Sequence, residues 1–237
     1  MPSPLEFVEQ FKVRELALDA ANVCHIDEQG STLCDWSSFG PGDLTVPDGE
    51  QFAHVSVGYG FACGLRTADG SLVCWGSAGT EACNWSPVAG QLEAPAGAFK
   101  QLVSRNLTSC AVDDAGSLKC WGAGEAADDP QALCREGTFN YGQADPPEGV
   151  YAKVELGAFH GCAIRDDGTV ACWGAGETDD CLDVGADCRQ SRPLPGVFVQ
   201  LALGNWHTCA MTAERKVQCW GYDANGDGRT MPPAVFQ

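Results

Sequence analysis

Two acidic stretches of the sequence have residue types and spacing that could bind a hard cation. Asp223-Ala-Asn-Gly-Asp-Gly228 matches the first half of a calcium loop, but Ala234 stands where such a loop needs a bidentate glutamate. The other stretch sets four carboxylates around two cysteines, at Asp179, Asp180, Asp183 and Asp187. Calcium is therefore the one cofactor that the sequence suggests. Turn chemistry at the first stretch and solvated charge at the second are the alternatives, and they stay open.

His160 and His207 are the candidates for acid–base chemistry. They occupy equivalent positions in two similar segments, whereas a catalytic histidine is unique and has an Asp or Ser partner. We predict that both are buried hydrogen-bonding residues that link neighbouring units. The sequence also contains no Gly-x-Ser-x-Gly, His-Glu-x-x-His or phosphate-binding glycine loop, so we predict no enzymatic activity.

Fourteen cysteines in 237 residues are typical of an oxidising compartment, so we expect a secreted, periplasmic or cell-surface protein. Zinc sites favour Cys-x-x-Cys, which does not occur in this sequence. Ten cysteines form pairs that are ten or eleven positions apart, and we predict the disulfides Cys24–Cys34, Cys63–Cys74, Cys110–Cys120, Cys162–Cys172 and Cys209–Cys219. The simplest pairing of the other four is Cys181–Cys188 and Cys83–Cys134.

The midpoints of these pairs predict hairpin turns. If Cys162 faces Cys172, the loop is Asp166-Asp167-Gly168, with glycine at the left-handed third position of a bulged turn. The same construction gives Asp114-Ala115-Gly116 and Glu28-Gln29-Gly30. Cys63 and Cys74 require an even loop around Ala68-Asp69. Ala213-Glu214-Arg215 lacks the glycine, which predicts strain or a different turn.

One pattern occurs five times: an aromatic residue, an apolar stretch, glycine, Cys, nine or ten residues, then Cys-Trp-Gly. We predict one repeat domain over 1–237, with units at about 11–51, 52–98, 99–150, 151–197 and 198–237. Short alternating runs bounded by glycine predict an all-β fold. A tryptophan follows the second cysteine in four units (Trp75, Trp121, Trp173, Trp220), and the degenerate first unit carries Trp36. Because sulfur and indole alternate between faces, each sheet would pack on the next, as in a β-propeller of about five four-stranded blades.

The repeats resemble the regulator of chromosome condensation repeat family. The resemblance lies in Leu156-Gly-Ala-Phe-His-Gly-Cys-Ala-Ile164 with Asp167-Gly-Thr-Val-Ala-Cys-Trp-Gly174, and in Leu203-Gly-Asn-Trp-His-Thr-Cys-Ala-Met211 with Val217-Gln-Cys-Trp-Gly221. It implies a propeller, and the paired cysteines look like the secreted bacterial branch. The family usually closes with seven blades, whereas five units are visible. A five-bladed ring and an incomplete arc of a seven-bladed propeller are both open.

The departures from repeat length predict where a ligand binds. Insertions at roughly 77–98, 123–149 and 175–196 would fall on one face of the repeat fold. They contain residue types enriched at binding hot spots: Trp85, Arg135, Phe139 and Tyr141. The alternative is that these aromatic residues plug the blade edges.

Charge narrows the class of partner. The net charge of −18 disfavours nucleic acid and anionic lipid as partners. The sequence contains no run of eighteen apolar residues, so we predict no membrane-spanning helix. Residues 123–188 contain 14 acidic and 3 basic residues, a net charge of −11 that would attract a cationic partner. We predict a non-enzymatic binding scaffold that recognises a protein or surface ligand. The resemblance also implies an alternative, an exchange factor for a small GTPase. It does not predict the oligomeric state.

Overall fold

A computed structural model describes residues 12–19, 22–36, 44–76, 90–123, 141–176 and 189–222 of the chain. These ranges contain fifteen β-strands and no helix. In chain order the strands are β1 (Val13–Leu18), β2 (Asn22–Asp27), β3 (Thr32–Trp36), β4 (Phe52–Gly58), β5 (Phe61–Arg66), β6 (Leu72–Gly76), β7 (Phe99–Arg105), β8 (Thr108–Asp113), β9 (Leu118–Gly122), β10 (Tyr151–Leu156), β11 (His160–Arg165), β12 (Val170–Gly174), β13 (Gln200–Leu203), β14 (His207–Met211) and β15 (Val217–Gly221).

The strands form five antiparallel sheets of three strands each, and every sheet is built from consecutive strands. Sheet 1 is β1–β3, sheet 2 is β4–β6, sheet 3 is β7–β9, sheet 4 is β10–β12 and sheet 5 is β13–β15. The all-β fold of repeated blades is confirmed. Within the described ranges each blade has three strands, not the four that the sequence predicts.

In sheets 2 to 5, the segment that leads into the sheet is held by a hydrogen bond from the indole of that sheet and not by a strand ladder. Trp75 donates its indole N–H to the carbonyl of Leu44 (3.1 Å), and Trp173 donates to the carbonyl of Gln143 (2.8 Å). Trp121 and Trp220 make the same bond to Gln91 and Gln190. A side chain therefore satisfies backbone groups that a fourth strand would otherwise pair in these segments.

The hairpin turns follow the prediction from the cysteine midpoints. Arg165 N–H donates to the Thr169 carbonyl and Gly168 N–H to the Arg165 carbonyl, each at 2.8 Å, so the loop is 166–168. Gly168 has φ +81°, in the region where glycine is favoured. The Cys63–Cys74 hairpin has the predicted even loop, closed by Arg66 N–H on the Ser71 carbonyl. Arg215 takes the glycine position of the last hairpin with φ +65°, so the turn is kept and the strain falls on a non-glycine residue.

Five disulfides join the second and third strands, one in each sheet. The bonded cysteines face each other directly in the register, and their Cα atoms lie 4.0 Å apart, as expected for a pair between the ladder hydrogen bonds. The pairs are Cys24–Cys34, Cys63–Cys74, Cys110–Cys120, Cys162–Cys172 and Cys209–Cys219. Disulfide-bonded blades are therefore confirmed. Cys83, Cys134, Cys181 and Cys188 lie outside the described residues.

Each sheet has a disulfide face, which carries the bonded cysteines, and an opposite face, here called the indole face because it carries the tryptophan in sheets 2 to 5. A bulge at the start of the first strand, for example between Phe52 and His54, adds one residue to the pleat. Phe52 and Val55 therefore share the indole face although three positions separate them. They are buried with Trp75 against Cys24 and Ile26 of the preceding disulfide face.

The same packing repeats at every junction between consecutive sheets. Cys63 of sheet 2 packs with Trp121 of sheet 3, and Cys110 of sheet 3 packs with Trp173 of sheet 4. Cys162 of sheet 4 packs with Trp220 of sheet 5. The first strands of consecutive sheets contact each other, so they lie innermost. The core of the molecule is this series of disulfide–indole layers.

Sheet 1 differs from the other sheets at its third strand. The register pairs Asp35 with Val23, so Asp35 occupies the place that tryptophan takes in the other four sheets. Trp36 of the degenerate first unit lies one position further along β3, opposite Asn22. A one-residue shift along a strand moves a side chain to the opposite face. Within the described ranges no helix capable of crossing a bilayer is found.

Candidate functional site

The turns between first and second strands form one edge of the molecule, here called the rim. The rim comprises Tyr59-Gly60, Asn106-Leu107, Ala158-Phe159 and Asn205-Trp206. The third strands end beside these turns, because Ala123 N–H donates to the Leu107 carbonyl (2.9 Å) and Ala175 N–H to the Phe159 carbonyl (2.9 Å). Ala123 and Ala175, which precede the segments 124–140 and 177–188 in the sequence, therefore lie at the rim.

An aromatic cluster of three residues stands on the rim. Phe159 stacks on Trp206 with ring centroids 4.5 Å apart and an interplanar angle of 21°. Tyr141 meets Phe159 edge to face at 5.8 Å. Phe159 is buried, whereas Tyr141 and Trp206 are partly exposed, so the cluster presents two amphipathic rings to solvent around a fixed centre.

The backbone under Tyr141 is fixed by polar contacts. Tyr141 N–H donates to Oε1 of Gln143 (2.8 Å), and the Gln143 side chain is buried. The Gln143 carbonyl in turn accepts the indole N–H of Trp173 (2.8 Å). Tyr141, which directly follows the segment 124–140 in the sequence, is thus attached to the core of sheet 4. A rigid anchor of this kind loses little conformational entropy on binding a partner.

Hydrogen bonds link the rim from sheet to sheet. Asn22 donates its amide to the Gly58 carbonyl (2.9 Å), and Tyr59 N–H donates to the Asn106 carbonyl (2.6 Å). Asn106, held at φ +51°, donates its own amide to the Ala158 carbonyl (3.0 Å). Sheets 1 to 4 therefore share one continuous polar connection, which keeps the turns in register with one another.

His160 continues this connection to sheet 5. Its Nε2 lies 2.8 Å from Oγ1 of Thr208, and the side chain is fully buried. Burial, with smaller effects from the nearby His207 and Arg105, lowers the pKa of His160 to about 3, so the imidazole is neutral at physiological pH. His160 is therefore buried and links sheet 4 to sheet 5, as the sequence predicts. His207 begins the equivalent strand β14 and is partly buried.

The sequence-predicted site residues are only partly described. Tyr141 lies in the rim cluster, whereas Trp85, Arg135 and Phe139 lie outside the described residues. The predicted calcium ligands Asp179, Asp180, Asp183 and Asp187, and the 223–228 loop, also lie outside them. Among the residues that are described, no group of three or more His, Cys, Asp or Glu side chains could hold a metal ion.

Phe159 and Trp206 are rim residues that the sequence reasoning missed. Each directly precedes the histidine of its repeat, where two other units have Gly60 and Leu107. The signal that could have found them is this difference between otherwise equivalent positions. A large aromatic side chain at a turn, in only some copies of a repeat, indicates a role beyond the repeat itself.

Comparison with known proteins agrees with this geometry. Residues 151–177 and 198–228 match the profile of the regulator of chromosome condensation (RCC1) repeat. No curated protein sequence matches the chain. Among solved structures, the CRINKLY WD40 ectodomain of the Arabidopsis thaliana receptor kinase ACR4 has a TM-score of 0.64 at 20% identity, over 89% of this chain and 65% of that one.

Two further structures are similar at the level of the fold. Prp20p from Saccharomyces cerevisiae has a TM-score of 0.61 at 16% identity, over 92% of this chain and 60% of that one. Human WBSCR16 has a TM-score of 0.63 at 16% identity, over 92% and 64%. The chain therefore spans less than two thirds of the length of each of these three structures.

The packed series of disulfide and indole faces defines a β-propeller architecture. Residues 151–177 and 198–228 match RCC1 repeats, and the fold is similar to that of Prp20p. The resemblance seen in the sequence is thereby confirmed.

Proposed function

We propose that the protein is a non-enzymatic scaffold, acting in an oxidising compartment, that binds a protein partner through the rim. The observation that carries this proposal is the cluster of Tyr141, Phe159 and Trp206 on the rim. Two acidic segments, 124–140 and 177–188, are adjacent to described rim residues in the sequence. Exposed, rigidly held aromatic rings are typical centres of protein interfaces. The five disulfides support the oxidising compartment, because such bonds are rare in the reducing cytosol.

The composition of the insertions supports a partner with a cationic surface. Segment 177–188 contains five acidic residues and one cysteine pair but no lysine or arginine. Carboxylates near aromatic faces attract lysine and arginine by charge and by cation–π contact. The receptor kinase ectodomain supports a location outside the cell. The structure of Prp20p, whose reported binding properties concern Gsp1p and histones, supports the alternative of a small-GTPase regulator.

Affinity capture with rim variants tests the proposal. The oxidised protein is immobilised and exposed to extracellular and membrane fractions beside the double variant Tyr141→Ala/Trp206→Ala. We expect one or a few proteins to be captured by the wild type and reduced at least tenfold by the variant, because two anchors at about 1–2 kcal/mol each are removed.

The matched control removes exposed apolar side chains elsewhere. Val150 and Val197 are 52% and 60% exposed and lie beside the hairpin glycines 116 and 168, away from the rim. Val150→Ala/Val197→Ala is expected to keep the captured proteins. Equal capture by wild type and rim variant would contradict a binding rim. Alkylation of most cysteines in the native protein would contradict the oxidising compartment and favour the GTPase regulator.

A further inference from the structure

Among the described residues, two sheet faces at the ends of the series have no sheet packed on them. Every junction joins the disulfide face of one sheet to the indole face of the next. The unmatched faces are the indole face of sheet 1 and the disulfide face of sheet 5. One is the indole half and the other the disulfide half of the junction that joins consecutive sheets in the rest of the molecule.

The uncovered face of sheet 1 is strongly apolar. Leu16 and Leu18 of β1 are 60% and 68% exposed. The register shows that Val55, Leu102, Val154 and Leu201 occupy the position of Leu16 in the other sheets, and all four are at most 5% exposed. Val23 and Leu33 extend the same face across β2 and β3, with the partly buried His25 between Leu16 and Leu33 in the register. A group of exposed apolar side chains of this kind marks an interaction site.

The uncovered face of sheet 5 carries the complementary set. Met211 is partly exposed, whereas its equivalents Ile26, Leu65, Val112 and Ile164 are all buried. Cys209 is partly exposed as well, although the first cysteine of every other disulfide is fully buried. Ala202, opposite Cys209 in the register, is exposed. These residues have the composition of a disulfide face but no covering sheet.

A polar contact repeats across the junctions and is left unused at sheet 5. Gln101 of sheet 3 holds the backbone of Val154 in sheet 4 twice, donating to its carbonyl (2.9 Å) and accepting from its N–H (3.2 Å). Gln200 occupies the same position in sheet 5, opposite Met211 as Gln101 is opposite Val112, and it is exposed. In sheet 1 the position of Val154 belongs to Leu16.

The other sheets use the same position for the same purpose. Glu15 accepts the N–H of Val55 (2.9 Å), and His54 Nε2 lies 3.0 Å from the Leu102 carbonyl. Lys153 donates to the Val199 carbonyl (2.8 Å). Sheets 1 to 4 therefore each send one side chain to the backbone in or next to the first strand of the following sheet, and the identity of that side chain varies while the contact is kept.

We propose that the indole face of sheet 1 binds the disulfide face of sheet 5 in a second copy of this chain. Gln200 of one copy then takes the place of Gln101, and Leu16 and Leu18 of the other copy take the places of Val154 and Leu156. A second copy fits because each copy carries both halves of the interface. Asp35 stands in the tryptophan position, so the contact is centred on the inner strands β1 and β2 and not on β3.

The contact is head to tail, since two different faces meet. Two copies that make it reciprocally form a closed dimer, and a single contact per copy would extend into a chain of copies. The proposal rests on the packing of the sheets and does not depend on the rim or its partner.

Two variants, each with one of the two faces blocked by charge, test the proposal. Leu16→Asp/Leu18→Asp places charge on the sheet 1 face, and Ala202→Arg places charge on the sheet 5 face. All three positions are exposed, so the substitutions leave the core unchanged. By sedimentation we expect the wild type to exceed its chain mass of 25.0 kDa and each variant alone to remain at that mass.

The equimolar mixture of the two variants is the decisive sample. The intact sheet 5 face of one variant meets the intact sheet 1 face of the other, so we expect a one-to-one complex that cannot grow further. Gln200→Ala in the wild type is expected to weaken association about tenfold. Circular dichroism and the absence of free thiols among the ten described cysteines establish folding. A wild type that stays at 25.0 kDa, or variants that do not combine, would overturn the proposal.

Discussion

Glu15 and His54 form the ion pair that joins sheet 1 to sheet 2. Glu15 Oε1 lies 2.6 Å from His54 Nδ1 and also accepts the N–H of Val55 (2.9 Å). The hydrogen bond to Glu15 raises the pKa of His54 against the opposing effect of burial. Burial alone would raise the pKa of Glu15, but the bonds from His54 and Val55 lower it. The pair is therefore most favourable when both groups are charged.

The pH dependence of stability follows from these two shifts. The His54 contribution is complete below its ordinary pKa of 6.5 and is lost as the pH rises through the raised value. The Glu15 contribution is complete above 4.5 and is lost as the pH falls through the lowered value. Between these limits the pair stabilises the junction, by less than about 1 kcal/mol because both side chains are partly exposed.

His54→Gln removes the titrating group and keeps an amide that can reach Leu102, as Gln101 reaches Val154. We expect urea unfolding of the wild type to show lower stability at about pH 8 than at about pH 6, and the variant to show a smaller difference. The groups that also act on the pair, Arg14 and Glu155, are unchanged in the comparison. The same pH difference in both proteins would exclude His54 as its source.

The sequence predicted which residue makes a buried hydrogen bond between sheets better than it predicted which residues form the aromatic cluster on the rim. His160 was predicted from its repetition, because a residue that recurs at one position of a repeat serves the repeat. Phe159 and Trp206 escaped prediction, because their partnership arises from two turns brought together by sheet packing, and no spacing in the sequence encodes it. Tyr141 was singled out by type, but its contact with Phe159 required the folded rim.

At the scale of elements, the hairpins were the most predictable feature. Their strands alternate with a period of two, so one pair of facing cysteines determines the register and the centre of the loop. The bulges at the first strands were not predictable, because the extra residue has no compositional signal. In sheet 1, Asp35 stands where the other sheets have tryptophan and Trp36 is shifted by one position along β3, which is why the first unit is degenerate in the sequence.

The last hairpin gives a stability prediction that concerns one turn. Arg215 adopts φ +65° at the position where equivalent turns have glycine, and a side chain there costs about 1 kcal/mol. Arg215→Gly is expected to raise the free energy of unfolding by about 0.5–1 kcal/mol, measured by urea titration.

The reverse change provides the matched control. Gly30 has φ +87° and no atom within 4 Å of an added Cβ, so Gly30→Ala tests conformation without a clash. We expect a loss of about 1 kcal/mol. If Gly30→Ala has no effect, conformational strain at this turn position is not the relevant factor, and any gain from Arg215→Gly needs another explanation.

The whole molecule is a row of sheets in which each sheet packs on its sequence neighbours. Its stability is then a sum of sheet contributions and junction contributions. The sequence predicts the row, because four of the five units alternate sulfur and indole. It does not predict which faces remain open, because Leu16 and Leu18 have the same apolar alternation as the buried residues Val154 and Leu156. Whether such a face is covered depends on the number and angle of the sheets, which the period of a repeat does not contain.

This additivity predicts that equivalent disulfides contribute different amounts to the free energy of unfolding, according to their place in the row. Removing any one bridge loses the chain-entropy effect of a short ring, about 2.5–3 kcal/mol. Cys162 is fully buried and packs against the indole face of sheet 5, whereas Cys209 belongs to the open face. We expect Cys162→Ala/Cys172→Ala to lower the free energy of unfolding by at least about 1 kcal/mol more than Cys209→Ala/Cys219→Ala, because it also loosens a junction. Urea unfolding at concentrations too low for self-association measures the difference, and equal losses would show that the junctions do not depend on the sulfur atoms that they bury.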